Sequence, residues 1–365
     1  MAAEAKRKAF DDCLAGQSSS SIGILHLSDL HFSERSEPGT VLAWLVDDLR
    51  RSENLGGNNL EVVVISGDVT DRGSIPGFEQ ARQFVSALID EFRLSAQRCI
   101  VVPGNHDALD FEDSYRWFVN EEMALRFESD EERWHREGSV IFARDPGSYR
   151  LRFKAFSDTF YHKITQRPYP LDFEQQGEQL FPESRLQFLT LNSAWEVDQF
   201  NRKRKGILAS SVARVIQEAD RQVAAAIADG TLTDRAKVLR IGVWHHAVSG
   251  PEMIQNVSFL EHLQRSGVRI CLHGDVHELR RDLVGNFINE RMNVIGVGSL
   301  WASSIQRPES VPRLYNLLSV RRDLSSVRVH TRCQRTAEGA WKGWNEWPKS
   351  KGSEEFVSYF DVDLS

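Results

Sequence analysis

Short apolar runs and helical spacings take turns along this chain. Nearly unbroken apolar stretches occur at Ile22 to Leu27, Val62 to Ile65, Cys99 to Val102, Val238 to Trp244 and Val268 to Leu272. Their length and β-branched content predict buried strands. Between them the period changes. Val41, Leu42, Leu45, Val46 and Leu49 predict a helix over Thr40 to Arg51, and Phe78, Ala81, Phe84, Val85, Leu88 and Ile89 predict one over Ile75 to Phe92. Ser210 to Ala228 reads as a third. Strands alternating with helices imply an α/β fold with parallel pairing and helices on the sheet faces.

The alternation breaks from about 108 to 185, where aromatics such as Tyr115, Trp117, Trp134, Phe142, Tyr149, Phe153, Phe156 and Phe160 mix with charges and no motif recurs. So long an excursion between core blocks is expected to be a largely helical insertion packed beside the functional centre, its aromatics forming a small core of their own. Leu186 to Leu191 resumes a core strand ending at Asn192-Ser193, where Asn192 serves either a turn or a substrate. Later runs at Met292 to Val297, Leu314 to Val320 and Ser326 to Arg332 look antiparallel and are expected to complete the second of two sheets. Residues 1–20, ending in Gln-Ser-Ser-Ser, read as a flexible lead, 21–335 as the main domain, and 336–365, with Trp341, Trp344 and Trp347, as a tail packed on it.

Each buried run is followed by polar residues that can bind metal. The groups are Asp29-Leu30-His31, Gly67-Asp68, Gly104-Asn105-His106-Asp107, His245-His246 and Gly274-Asp275-Val276-His277. In open α/β sheets, ligands bind beyond the carboxyl ends of the strands. Five such ends gather enough oxygen and nitrogen donors for two metal ions.

This order of blocks resembles the calcineurin-like metallophosphoesterase family, with its D-x-H, G-D, G-N-H-[D/E], a histidine after a strand, and G-H-x-H. The resemblance implies a four-layer α/β/β/α sandwich of two mixed sheets flanked by helices. It also implies a metal set: Asp29, His31, Asp68 and His277 on one ion, with Asp68 bridging to a second ion held by Asn105 and His245. The family's remaining ligand is the first histidine of G-H-x-H, and this chain has Asp275 there. Asp275 either ligates through oxygen, favouring hard ions such as Mn²⁺ with Fe, Zn²⁺ or Mg²⁺ as alternatives, or leaves the second ion weak, with His273 as a stand-in.

Paired divalent ions lower the pKa of bound water toward about 7 and clamp entering and leaving oxygens. The resemblance therefore implies phosphoester hydrolysis by a metal-bridging hydroxide, with His106 protonating the leaving oxygen or stabilising the transition state and Asp107 orienting that imidazole. Arg72 matches a phosphate-binding Arg of the phosphoprotein-phosphatase branch, or else pairs with Asp71 or Glu79. His246 is a substrate contact or a hydrogen-bonded loop residue, and His26 a satisfied core histidine.

Composition narrows the substrate. The 365 residues are 41% apolar with a net charge of −7, a balance that disfavours general nucleic-acid binding without excluding it. The one strongly basic run, Asn201 to Gly206, reads as a solvated loop in preference to a phosphate-binding one. Cys13, Cys99, Cys271 and Cys333 lie far apart, as buried reduced thiols do. No apolar run is long enough to span a bilayer, so a cytoplasmic location is expected. A phosphodiester such as a cyclic nucleotide is the expected substrate, because the His-His block resembles the bacterial cyclic-nucleotide phosphodiesterase branch, although the prolines that usually follow are missing. A nuclease, a phosphomonoesterase and a catalytically silent interaction module like the retromer subunit of this fold are the alternatives.

Overall fold

The computed structural model describes residues 21–51, 59–109, 114–172, 176–233, 237–250, 253–276, 284–287, 292–301, 311–336, 338–349 and 353–364. Its strands run β1 (Ser21–Leu27), β2 (Leu60–Ser66), β3 (Cys99–Val102), β4 (Tyr115–Phe118), β5 (Trp134–Glu137), β6 (Val140–Arg144), β7 (Gln176–Phe181), β8 (Leu186–Leu191), β9 (Leu239–Val243), β10 (Val268–Val276), β11 (Val284–Phe287), β12 (Met292–Gly298), β13 (Arg313–Arg321) and β14 (Ser326–Gln334). One sheet has the order β14-β13-β1-β2-β3, with Lys342–Gly343 and Tyr359–Asp363 pairing with β14. The other runs β11-β12-β10-β9-β8-β7.

Both sheets are mixed, and each has a parallel centre: β1-β2-β3 in the first, β8-β9-β10-β12 in the second. Ile24, Val64 and Val102 meet Phe188, Ile241 and Leu272 between the sheets. On the outer face of the first, Leu25 and Ile65 pack against Leu45, Phe78 and Phe84 of the helices Pro38–Arg51 and Ile75–Glu91. On the outer face of the second, Leu189 and Cys271 pack against Val212 and Val215 of the helix Ala209–Ala228 and Leu263 of Phe259–Arg265. The result is the expected four-layer α/β/β/α sandwich.

Three expectations change. Strand β12 runs parallel to β10, with β11 making the antiparallel contact; its almost wholly buried sequence suits a parallel interior strand. Strands β13 and β14 join the first sheet through β1, not the second. The excursion after Asp107 mixes strand with helix. Strands β4, β6 and β5 form a small antiparallel sheet, and helical turns follow over Pro146–Tyr149, Arg150–Phe153 and Phe156–Thr165. Aromatics in alternation, as in Tyr115 and Trp117, fit a pleated strand as readily as a helix.

A buried polar knot ties this excursion to the loop after β8. Tyr115 and Tyr149 donate their hydroxyls to Asp198 at 2.6 and 2.8 Å, and Arg152 donates to the carbonyls of Val197 and Trp195. Trp344 and Trp347 are buried with Val276, Val297 and Leu314. Among the described residues, no helix is long and apolar enough to cross a membrane.

Candidate metal centre

Strands β1, β2, β3, β9 and β10 all deliver their carboxyl ends to one place. The turns there are tight. Asp29, His31, Asp68 and Asp275 have φ of 52°, 44°, 52° and 55°, a left-handed conformation that side chains other than glycine seldom adopt. Neighbouring loops hold them: Asp29 N donates to Gly67 O and His31 N to Asp68 O, both at 3.0 Å. Two glycines are required by close approach. A Cβ on Gly104 would lie 2.1 Å from Asp68 Oδ1, and one on Gly274 would lie 1.8 Å from Ser28 Oγ.

Asp68 is central. Its Oδ1 accepts from His106 N at 2.8 Å, while Oδ2 lies 3.3 Å from His245 Nε2 and 3.7 Å from His31 Nε2. Asp29 Oδ1 is 3.6 Å from that same His31 nitrogen, and Asp29 Oδ2 accepts from Asp275 N at 3.1 Å. Candidate ligand atoms of Asp29, Asp68 and His245 lie within 4.8 Å of one another, as do those of His31, Asp68 and His106. Asp29, Asp68 and His245 are at most 1% exposed.

These residues fit a divalent cation. His245 Nδ1 lies 2.7 Å from the Ser66 carbonyl, which can only accept, so Nδ1 carries the proton and Nε2 is a lone pair facing a carboxylate oxygen. Two electron-rich atoms in a dry site need positive charge between them, supplied by a second proton or a metal ion. Burial opposes charge on His245, yet the adjoining Asp68 carboxylate outweighs it and lifts its pKa to about 10. Burial likewise opposes charge on Asp68, and the imidazoles of His245, His106 and His31 hold it well below the usual carboxylate range. Mixed carboxylate and imidazole donors suit first-row divalent ions.

Asn105 and His246 are coupled. His246 Nε2 lies 2.9 Å from Asn105 Oδ1, and its Nδ1 lies 2.9 Å from Ser193 Oγ and 3.1 Å from Ser193 O. Burial pushes the His246 pKa down to about 3, so the ring is neutral with one N–H. Ser193 Oγ already accepts two backbone N–H groups, so its hydroxyl donates to Nδ1, and the single ring hydrogen sits on Nε2 and is donated to Asn105 Oδ1.

Asp107 sits behind the centre rather than beside the His106 ring. Its carboxylate accepts from Val69 N, Thr70 N and Gly104 N at 3.2, 3.1 and 2.9 Å. Burial and the nearby Asp68 push its pKa up to about 7 against those three donors. On the solvent side, Asp71 lies 3.5 Å from Nδ1 of the His106 ring. Arg72 is exposed on the same turn with φ 57°, and Glu79 pairs with Arg82.

The structure brings Asp29, His31, Asp68, Asn105, His106, His245 and Asp275 together; His277 lies outside the described residues. His273 turns its Nδ1 to Gly274 O at 2.7 Å, because the register shift between His273 and Val276 breaks the strand alternation. Asn192 accepts from Ala194 N and caps its turn, while His26 is buried against Ser66 Oγ. Sequence reasoning missed two residues. Ser193 Oγ accepts from the backbone of His245 and His246. Lys205, from the basic run, pairs with Asp275 Oδ2 at 3.0 Å, both nearly buried. Neither residue type marks itself out locally.

A four-layer α/β/β/α sandwich with carboxylates and imidazoles clustered at its strand ends defines a metallohydrolase. Residues 22–279 match the model of the calcineurin-like phosphoesterases, and the chain belongs to that family of metal-dependent phosphoesterases. Among solved structures it is similar to TT1561 of Thermus thermophilus, at 10% identity and a TM-score of 0.39 over 85% of this chain and 98% of that one. It is also similar to a single mutant of Vps29 from Entamoeba histolytica, at 10% identity and a TM-score of 0.33 over 94% of this chain and 100% of the other. No curated protein matches the chain.

Proposed function

We propose that this chain hydrolyses a phosphodiester, a cyclic nucleotide or similar, at a centre of two divalent ions with Mn²⁺ preferred. The observation that carries the reading is the position of Asp68, whose carboxylate lies between His31 on one side and His245 on the other. Asp29, His31, Asp68 and His277 hold the first ion in this reading; Asp68, Asn105, His245 and Asp275 face the second. When bound, the ions supply a nucleophilic water at neutral pH and polarise the phosphoryl oxygens.

The chain's own groups do the rest. His106, on a turn open to solvent, gives a proton to the leaving oxygen, with Asp71 beside its Nδ1 to hold the ring. Arg72 reaches from the same exposed turn toward a phosphate oxygen. His246 and Ser193 fix Asn105 from behind. Buried free thiols at Cys99, Cys271 and Cys333 favour a cytoplasmic setting.

Nucleic acid finds less support as substrate. The cleft of about 420 Å³ bordered by Lys205 is lined by Asp130, Glu132 and Glu196 as well as by Arg133 and Arg204, so it has no single-sign field to guide a strand. The test is a panel of cyclic nucleotides, bis-p-nitrophenyl phosphate, p-nitrophenyl phosphate and short oligonucleotides with Mn²⁺, run beside Asp68→Ala. Diester turnover that Asp68→Ala abolishes is expected. Preference for the monoester, or turnover surviving in Asp68→Ala, overturns the reading.

A further inference from the structure

Lys205 stands at the one position where the ligand set departs from the family pattern. Its side chain turns inward from the basic run and places Nζ 3.0 Å from Asp275 Oδ2, with side-chain exposures of 10% and 6%. Two backbone contacts anchor the lysine's loop under the centre: Gly206 N donates to Ser193 O at 3.1 Å, and Gln255 N to Lys205 O at 3.4 Å. Asp275 is fixed from its other side, because its N–H donates to Asp29 Oδ2.

Charge counting gives this pair a meaning. Asp29, Asp68 and Asp275 together carry three negative charges when ionised, and the ammonium of Lys205 cancels one. One divalent ion then balances the remaining two. A carboxylate paired with an ammonium is, in net charge, equal to the neutral imidazole that the family places at 275. It is a poorer ligand, since its oxygen is already engaged and a second cation must approach a fixed positive charge. At such separations in a partly dry site that repulsion is substantial.

We propose that Lys205 is a built-in cation that competes with the second divalent ion for Asp275, so that the centre fills in two separate steps, the first tight and the second weak. The ammonium must leave Oδ2, or share the carboxylate, before the second ion is held. This makes Lys205 a residue that sets metal occupancy, and the inference rests on the two-ion reading above.

The experiment is calorimetric titration of the metal-free full-length protein with Mn²⁺, together with the rise in Tm that Mn²⁺ produces. Wild type is expected to show two steps separated by at least tenfold in Kd. Lys205→Met should tighten the second step by tenfold or more without moving the first, Lys205→Arg should retain the wild-type pattern, and Asp275→Asn should abolish the second step. If Lys205→Met does not fold, Lys205→Gln carries the same expectation. Two equal steps in wild type, or a second step that is unchanged or weaker once the charge is removed, overturns the proposal. Asp68→Ala separates the readings: both steps surviving there sinks the centre itself, whereas unchanged steps in Lys205→Met sink only the role of Lys205.

Discussion

Asp107 takes three backbone N–H donors from two loops, and the His106 ring takes none of its carboxylate. Removing the Asp107 carboxylate strands those three donors in a buried place, each costing about 1 to 3 kcal/mol. Asp107→Ala is therefore expected to lower stability by at least about 3 kcal/mol, read as a fall in the urea midpoint. His106→Ala should behave in the opposite way. Its ring is partly exposed, so stability is expected to stay within about 0.5 kcal/mol, while the turnover found in the ester panel falls by roughly 10² or more. Comparable losses of stability in the two variants would refute this division of labour. The motif alone makes both residues look like chemistry, because adjacency in sequence does not say which way a carboxylate turns. Lys205 shows the same limit: a charge run reads as solvated on average, and nothing local marks the one ammonium that points inward.

Elements were legible where their period was clean. The runs that became β1, β2, β3, β9 and β10 are apolar nearly throughout, and the helices Pro38–Arg51 and Ile75–Glu91 bury the faces that the spacing defines. Strand partners were less legible, since β12 and β13 have similar apolar content and only tertiary contacts decide which sheet each joins. Strand β14 carries a titration of its own. His330, 8% exposed, lies near the Tyr359 ring with Arg328 and Arg332 two residues away on either side and Asp361 across the Arg328 pairing. Burial, then the two guanidiniums, outweigh Asp361 and lower its pKa from 6.5 to about 4. The unfolded chain thus takes up this proton first, so stability is full above pH about 6.5 and falls as pH drops toward about 4. With metal chelated throughout, wild type should lose about 2 kcal/mol more than His330→Phe between pH 7.5 and 4.5, after allowance for solvent screening. Equal urea midpoints across that range in both proteins would contradict the assignment.

At the scale of the whole molecule, the centre is a seam. Asp29, His31, Asp68 and Asn105 follow strands of one sheet, while His245 and Asp275 belong to the other. Hydrogen bonds cross the seam, among them His245 Nδ1 to the Ser66 carbonyl, Asp275 N to Asp29 Oδ2 and Leu300 N to Ser28 O. An ion held by donors from both sheets ties the halves in the folded state and has no such site in the unfolded chain. Saturation at about 100 times Kd then adds about 2.7 kcal/mol per ion. For a chain of this length that corresponds to roughly 3 to 4 °C in Tm for each ion. EDTA is expected to lower Tm by that amount for every ion removed, to lower it as one cooperative transition because both sheets share the seam, and to leave Asp68→Ala unmoved. A fall confined to one of two resolved transitions would mean that the ions are held within a single sheet, and the bridging geometry around Asp68 would have to be abandoned.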